Sequence, residues 1–196
     1  MAATNPDFTT PYSEPERWAG DADVLYEAVV EAVRLYALPA LPAERIRRGW
    51  QNGVSLPPDS KDYAIVAILG RARRGTNFKA YEPPAPDAPD GTDGHLTERT
   101  LREATVQVSF FSASEAGAAR ADSLVTISRG TIGASHFRQW QIGVLYADDT
   151  QAPDYEDGTK RMVHHTVVTL RLAYWSGIRA KLPYFSAVDF EYRQQQ

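Results

Sequence analysis

The sequence predicts an α+β fold, with an antiparallel or mixed sheet, two helices packed on one face, a long β-hairpin and extended terminal arms. Two segments, 21–38 and 115–127, repeat apolar residues at three- and four-residue steps, which is typical of amphipathic helices. Other segments alternate apolar and polar residues or form short apolar runs, as strands do. The chain has 196 residues, 43% of them hydrophobic, which suits one ordinary globular domain.

The first twenty residues differ from the rest of the chain. They carry prolines at positions 6, 11 and 15 and little apolar periodicity, so we predict an extended arm over 1–20. They also lack the basic start and apolar stretch of a secretory signal, and no run of about eighteen apolar residues predicts a membrane span. The single α+β domain is therefore predicted over 21–196.

The first helix follows this arm. Asp21 or Asp23 can cap its start, and Pro39 ends it because the residue before a proline avoids the helical conformation. Residues 38–60 then form a connection that is rich in proline. The predicted buried stripe of the helix contains Ala22, Leu25, Tyr26, Val29, Val33 and Tyr36.

A β-hairpin is predicted next. Residues 63–69 form a continuous apolar run, typical of a strand buried on both faces, and residues 70–81 can extend it. From residue 105 apolar and polar residues alternate, which predicts a half-buried strand. Between them, the proline- and aspartate-rich residues 82–97 predict a mobile surface loop at the tip of the hairpin.

The second helix and the last strands complete the predicted fold. Ser114 and Gly117 open a helix over 115–127, and Gly130 and Gly133 end it. The predicted buried stripe of this helix contains Ala118, Ala121, Leu124 and Val125. Three extended segments follow, namely 140–144, 163–174 and 184–192, with a turn-rich stretch at 147–158.

No residue rises to a catalytic, cofactor-binding or metal-binding candidate. Cysteine is absent, which excludes disulfides, thiolate zinc sites and cysteine nucleophiles. His164 and His165 are neighbours on a strand, so they point to opposite faces and cannot hold one ion together. Neither the serines nor the glycines fall in hydrolase or nucleotide-binding motifs.

Charged segments are the remaining candidates. The acidic residues of the turn-rich stretch at 147–158, which we call the acidic loop, predict a solvated surface rather than a calcium site. The spacing of calcium ligands that is typical of an EF-hand is missing there. The basic segments allow three readings: solvated or intrachain-paired charge, pairing with the acidic face of another subunit, or contact with DNA in a pore. A net charge of -4 disfavours nucleic acid as the principal ligand. The acidic loop contains Asp148, Asp149, Asp154, Glu156 and Asp157, and the basic segments contain Arg45, Arg47, Arg48, Arg71, Arg73, Arg74 and Lys79.

Three stretches resemble the neck or tail-terminator proteins of tailed bacteriophages. The first has Arg48, Gln51, Asn52 and Gly53 before a proline-bearing link into the apolar strand. The second is the alternating strand followed by an alanine-rich helix at 105–127. The third, at 143–174, is a strand, an Asp/Pro loop and a basic residue opening the last long strand, with Asp148, Asp149, Pro153 and Arg161. Their order and spacing over about residues 21–175 carry the resemblance.

The resemblance implies a non-enzymatic structural subunit of the virion, assembled in the host cytoplasm. Such proteins form a six-fold ring of identical copies, which stops polymerisation of the tail-tube protein and docks the head-completion or connector proteins (stopper or adaptor). Genomic DNA passes through the ring without sequence-specific binding, and no cofactor, metal or membrane is involved. We expect contacts between subunits or with these partners at Arg47, Arg48, Gln51, Asn52, Arg71, Arg73, Arg74, Asp148, Asp149 and Arg161.

Two other classes remain open. The chain could be another virion component, such as a head-tail adaptor, a stopper or a baseplate subunit, which ring stoichiometry and position in the virion would separate from a terminator. It could also be an enzyme that uses a metal at His164 and His165, which metal analysis of the purified protein would test.

Overall fold

The computed structural model describes residues 22–49, 62–89, 93–153, 155–156 and 162–182. Within them, three helices and seven strands follow one another along the chain, with a short 3₁₀ turn at Ala43–Arg45. The helices are α1 (Ala22–Tyr36), α2 (Ala116–Ser128) and α3 (Thr131–Gln139). The strands are β1 (Ile46–Arg48), β2 (Tyr63–Arg73), β3 (Phe78–Glu82), β4 (Gly94–Ser112), β5 (Ile142–Ala147), β6 (Tyr155–Glu156) and β7 (Met162–Leu182). None of the helices in these ranges is long and apolar enough to cross a membrane.

The strands form a mixed sheet in the order β1-β2-β4-β7-β5. β1 pairs with β2 in parallel, whereas β2 pairs with β4 and β5 pairs with β7 in antiparallel register. Two further strands lie off this path: β3 pairs with β4, and β6 pairs with β7. The predicted α+β class, the mixed sheet and the antiparallel β2–β4 hairpin are therefore confirmed.

One hydrophobic core lies between the helices and one face of the sheet. Alternate residues of β4 and β7 face it, because side chains on a strand alternate between the two faces. The predicted stripe of α1 packs there through Leu25, Val29 and Val33, all of them fully buried, against sheet residues such as Phe110 and Leu172. Full burial of each such side chain contributes about 1.5–3 kcal/mol.

A third helix begins where the sequence predicted the end of the second helix. Gly130 and Gly133 were expected to terminate α2, but Gly130 is the N-cap of α3 and Gly133 lies inside it. A Cβ at position 133 would lie only 2.4 Å from the carbonyl oxygen of Ile127, so glycine there permits α3 to approach the end of α2 closely. Trp140, predicted as the start of a strand, is the C-cap of α3.

The hairpin also differs in detail from the prediction. β4 begins at Gly94, and Glu82 belongs to β3, so the predicted loop over 82–97 is shorter at both ends. Opposite charges pair across these strands, which favours a ladder in a stretch whose composition alone indicates a loop. Leu69, in the run predicted to be buried on both faces, is 52% exposed.

The remaining predicted boundaries lie close to the observed ones. Ser114 accepts a hydrogen bond at Oγ from the Ala116 amide at 3.3 Å, although the N-cap of α2 is Glu115. The strand predicted over 163–174 is longer and reaches Leu182. The predicted arm over 1–20 and the last extended segment, 184–192, lie outside the described residues.

The chain divides into two compact units. The larger one, which we call the core unit, is described at residues 22–49, 62–76, 100–153, 155–156 and 162–176 and holds the hydrophobic core. The other, which we call the small unit, is described at residues 77–89, 93–99 and 177–182. There β3 pairs with the first part of β4, and ion pairs join Lys79 to Glu98 and Arg179 to Glu82. The division of the chain at residue 20 remains a prediction.

Candidate interaction surfaces

The histidines of the described residues have no common site. His136 is buried in the core unit, where its Nε2 lies 3.0 Å from the carbonyl oxygen of Ala28. His165 stacks on Phe111 at 4.4 Å between ring centroids, and Phe111 stacks on Tyr63 at 4.6 Å. Within the described ranges, no group of three or more His, Asp or Glu residues could hold a metal ion. The stacked rings of Tyr63, Phe111 and His165 pack β2, β4 and β7 together.

A buried ion pair joins α2 to the start of β2. Arg120 donates from Nη1 to Oδ2 of Asp62 at 2.8 Å and from Nε to the carbonyl oxygen of Pro39 at 2.6 Å. Ser112 donates to Oδ1 of Asp62 at 2.8 Å. Partial burial opposes ionisation of Asp62, but these hydrogen bonds outweigh it and hold the pKa of the carboxyl below its usual range. The carboxylate is fully engaged within the chain, so we assign it a structural role.

Two of the predicted arginines lie on the short edge strand β1. Arg48 forms an ion pair with Asp23 of α1, and its guanidinium lies 5.0 Å from the ring centroid of Tyr26. Burial raises the pKa of the Tyr26 hydroxyl, although the charges of Arg48 and Arg47 lower it in part. Arg47 makes no ion pair with any described residue. Intrachain pairing thus accounts for Arg48, whereas the role predicted for Arg47 remains a prediction.

The predicted arginines at the end of β2 differ in the contacts that they make. Arg74 forms an ion pair with Glu103, whose carboxylate also lies 3.8 Å from Arg171. Arg73 donates from Nε to the carbonyl oxygen of Gly75 at 2.7 Å. Arg71 is exposed and has no ion pair among the described residues. Arg74 is therefore paired within the chain, whereas Arg71 has no ion pair with the part of the chain that the structure describes.

Arg71 belongs to a group of three arginines that the sequence alone did not reveal. Arg102 on β4 is directly opposite Arg73, and Arg71 is directly opposite Ala104, so the three arginines share the face of the sheet that carries the core. Tyr174 of β7 completes the group. Burial raises the pKa of its hydroxyl, while the charges of Arg71 and Arg102 act in the opposite sense. The alternation of β4 with Val106 and Val108 could have placed Arg102 on this face.

The predicted acidic residues Asp148 and Asp149 follow β5. Asp149 accepts a hydrogen bond at Oδ1 from Arg129 at 2.7 Å, yet its side chain is 86% exposed. Arg129 also donates to the carbonyl oxygen of Ala147, and it lies over the ring of Tyr146. Asp148 has no ion pair among the described residues, and its amide donates to the carbonyl oxygen of Thr169. Both carboxylates therefore keep acceptor capacity for a partner.

Part of the predicted surface lies outside the described residues. This holds for Gln51, Asn52 and Arg161 and for the acidic residues Asp154 and Asp157. The contacts of these residues therefore remain predictions.

Apolar side chains are exposed on both units. In the small unit, Phe78, Tyr81 and Ile178 are 47%, 44% and 59% exposed, and none of its described large apolar side chains is buried. A three-stranded unit without a buried apolar face gains little stability by itself.

In the core unit, a pocket of about 380 Å³ lies between the end of α1 and α2. Its lining residues are Leu35, Tyr36, Leu38, Asp122, Ser123, Thr126 and Ile127.

Comparison with known proteins gives one result. A family model described as phage neck terminator protein matches residues 23–191. This range contains all of the described strands and nearly all of α1, whereas the predicted arm over 1–20 lies outside it. No curated protein matches the chain.

Proposed function

Because the chain belongs to the phage neck terminator protein family, we propose that its copies form a six-fold ring at the head-proximal end of a phage tail. The family match carries this proposal, and it makes the chain a structural protein of the phage neck, located in the virion tail. In the proposed ring, one face binds the last ring of tail-tube protein and ends its polymerisation. The other face binds the head-completion or connector protein, either a stopper or an adaptor.

The exposed apolar residues of the small unit support a role in assembly. Large apolar side chains that stay exposed on a unit without a buried core are typical of a surface that becomes covered by another protein. Phe78, Tyr81 and Ile178 are such side chains, and we propose that a neighbouring subunit or the tube covers them in the assembled ring. The Pro/Asp loop after Glu82 extends from the same unit, and we expect it to take part in these contacts.

The charged residues support contacts between different patches of identical subunits. A closed ring larger than a dimer uses heterologous contacts, in which one patch of each subunit meets a different patch of the next. Arg47, Arg71 and Asp148 have no ion pair among the described residues, and Asp149 is largely exposed. We propose these four residues as interface positions, together with the predicted Gln51, Asn52 and Arg161. Genomic DNA passes through the lumen without sequence-specific binding in this proposal.

Deletion of the protein from the phage, with electron microscopy of the lysate, tests the position of the ring. A terminator leaves tails of uncontrolled length that do not join heads, and expression of the chain in trans restores normal tails. Tails of normal length that fail to join heads would instead indicate a stopper or an adaptor. Absence of tails would indicate a baseplate subunit.

The ring itself is tested on the purified protein by mass photometry, alone and with tail-tube protein. We expect hexamers alone or on the tube, and monomers in both samples would contradict the ring.

Metal analysis of the same preparation tests the remaining alternative of a metal-dependent enzyme at His164 and His165. Stoichiometric zinc or manganese would support that alternative and count against a purely structural role.

A further inference from the structure

We propose that the pocket between the end of α1 and α2, which we call the helix pocket, binds the N-terminal arm of a second copy of the chain. The anchor of the arm in this proposal is Tyr12. The proposal rests on the ring described above and names one contact between its neighbouring subunits. The arm predicted over 1–20 lies outside the described residues, and its sequence and length support the proposal together with the lining of the pocket.

Apolar side chains of the helix pocket are exposed to solvent. Leu35 and Leu38, at and just beyond the end of α1, are 47% and 56% exposed. Tyr36 and Ile127 line the same pocket and are half-buried. A pocket of about 380 Å³ lies within the size range of ligand sites and admits an aromatic side chain. The helix pocket is therefore an open apolar site on the surface of the core unit.

The helix pocket also contains hydrogen-bond acceptors. Asp122 lines it, and Oδ1 of this residue accepts a hydrogen bond from the hydroxyl of Thr150 at 3.0 Å. A carboxylate has about four acceptor positions, so Asp122 can accept from a second donor. Ser123 and Thr126 add two hydroxyl groups to the lining. An aromatic side chain that carries a hydroxyl satisfies both parts of the pocket, and tyrosine is such a side chain.

The arm supplies a tyrosine in a restricted segment. Its aromatic residues are Phe8, Tyr12 and Trp18, and only Tyr12 has a hydroxyl. Pro11 precedes Tyr12 directly and Pro15 lies three residues after it. Each proline fixes one backbone angle, so this segment has fewer conformations to lose when it binds. A lower entropy cost favours binding through a short contact.

The length of the arm permits the contact. Tyr12 lies ten residues before Ala22, the first residue of α1, so it can lie up to roughly 33 Å from that residue. Along α1, Leu35 is about 20 Å from Ala22 at a rise of about 1.5 Å per residue. Trp18 is only four residues before Ala22 and reaches roughly 13 Å. Tyr12 therefore reaches far enough to meet a helix pocket, whereas Trp18 reaches less than the length of α1.

Charge favours the pocket of a second copy over that of the same subunit. To reach its own pocket, the arm must run back along α1, which carries Glu27 and, one turn further, Glu31. Glu14 and Glu16 lie between Tyr12 and α1, so that path brings like charges together. A neighbouring subunit can present its pocket from another direction. Each copy has one arm and one helix pocket, as the heterologous contacts of a closed ring require.

Disulfide cross-linking tests the contact directly, because the chain contains no cysteine. In Tyr12→Cys with Leu38→Cys, oxidation of assembled rings should give a ladder of linked subunits, up to the hexamer, on a non-reducing gel. Neither single variant should give this ladder. Tyr12→Cys with Leu69→Cys is the matched control, since Leu69 on β2 is 52% exposed and does not line the pocket, and it should give no ladder. A disulfide within single subunits would place the arm in its own pocket and overturn the proposal.

Assembly of the full-length protein gives a second test. Mass photometry measures it over a range of concentrations, with tube protein added where the ring requires it. Tyr12→Ala should raise the concentration at half-assembly by about tenfold. Thr126→Trp should have a similar effect, because the large side chain fills the helix pocket from an exposed position. Thr131→Trp, at the exposed start of α3, is the control and should assemble like the wild type.

The results separate the arm contact from the ring itself, once circular dichroism shows that each variant is folded. Wild-type rings with no ladder from the Tyr12 and Leu38 pair, and no effect of Tyr12→Ala, would overturn the proposal while the ring stands. An effect of Thr126→Trp without one of Tyr12→Ala would assign the pocket to another partner, which also overturns it. A wild-type protein that never forms a ring, alone or on the tube, would remove the proposed function as well.

Discussion

Arg120 on α2 donates a hydrogen bond to Asp62, the residue directly before β2, with 2.8 Å between Nη1 and Oδ2. The side chain of Arg120 is 6% exposed, and that of Asp62 is 24% exposed. The same arginine also donates to the carbonyl oxygen of Pro39, beyond the end of α1. One guanidinium thus ties two helices to the first long strand, which makes it a structural element of the subunit.

Arg120→Ala should lower the free energy of unfolding by about 3 kcal/mol, because it leaves a partly buried carboxylate without its cation. Chemical denaturation followed by circular dichroism measures this. Arg138→Ala, which removes an exposed arginine on α3, is the control and should change stability by no more than about 0.5 kcal/mol. Equal effects of the two variants would show that the buried pair adds nothing.

The pKa of Asp62 predicts how stability depends on pH. Hydrogen bonds from Arg120 and Ser112 lower this pKa in the folded state, despite the opposing effect of burial. A carboxyl with a lowered folded pKa stabilises the protein above its unfolded value, near 3.9, and the stabilisation disappears as pH falls through the folded pKa. The stability advantage of wild type over Asp62→Asn should therefore be full at pH 7 and shrink below about pH 4. Denaturation curves at several pH values measure it, and a constant difference between the two proteins would contradict the assignment.

The sequence predicted the elements whose patterns are local. The four-residue steps of Leu25, Val29 and Val33 identified α1, and alternation identified β4 from residue 105 and β7. These patterns are visible because each element exposes one face and buries the other. The first part of β4 was missed, because its support comes from backbone pairing with β3 and the Lys79–Glu98 ion pair rather than from an alternating apolar pattern.

Features that depend on contacts between distant residues could not be predicted in this way. Gly133 looks like a helix breaker in sequence, but in the fold it permits close packing of α3 on the end of α2. The grouping of Arg71, Arg73 and Arg102 on one face depends on the register of β2 and β4, which a single sequence does not state. Most interface residues were chosen by charge, and charge does not distinguish Arg71, which has no ion pair with a described residue, from Arg74, which pairs with Glu103.

Gly133→Ala should destabilise the protein by about 1–3 kcal/mol, because the added Cβ would lie 2.4 Å from a backbone oxygen and the backbone must move. Helix propensity alone predicts the opposite sign, since alanine is favoured over glycine by about 1 kcal/mol. Thermal and chemical unfolding decide between the two. Gly143→Ala is the matched control, since the nearest atom to its Cβ would lie 3.8 Å away, and it should be nearly neutral. A more stable Gly133→Ala protein would show that the close approach is not required.

Threonine substitutions at Phe78, Tyr81 and Ile178 together should impair assembly while the subunit stays folded. These side chains are exposed and lie in the small unit, so their loss removes little buried area from the isolated subunit, and threonine suits a strand. The stability of the monomer should change by no more than about 1 kcal/mol, whereas ring formation, alone or on tube protein, should decrease. Threonine at Leu69, Ile132 and Leu145, which are similarly exposed in the core unit, forms the control for a general loss of surface hydrophobicity. If mass photometry shows the first variant assembling as well as the control, the small unit is not a contact surface, and its exposed apolar residues require another explanation.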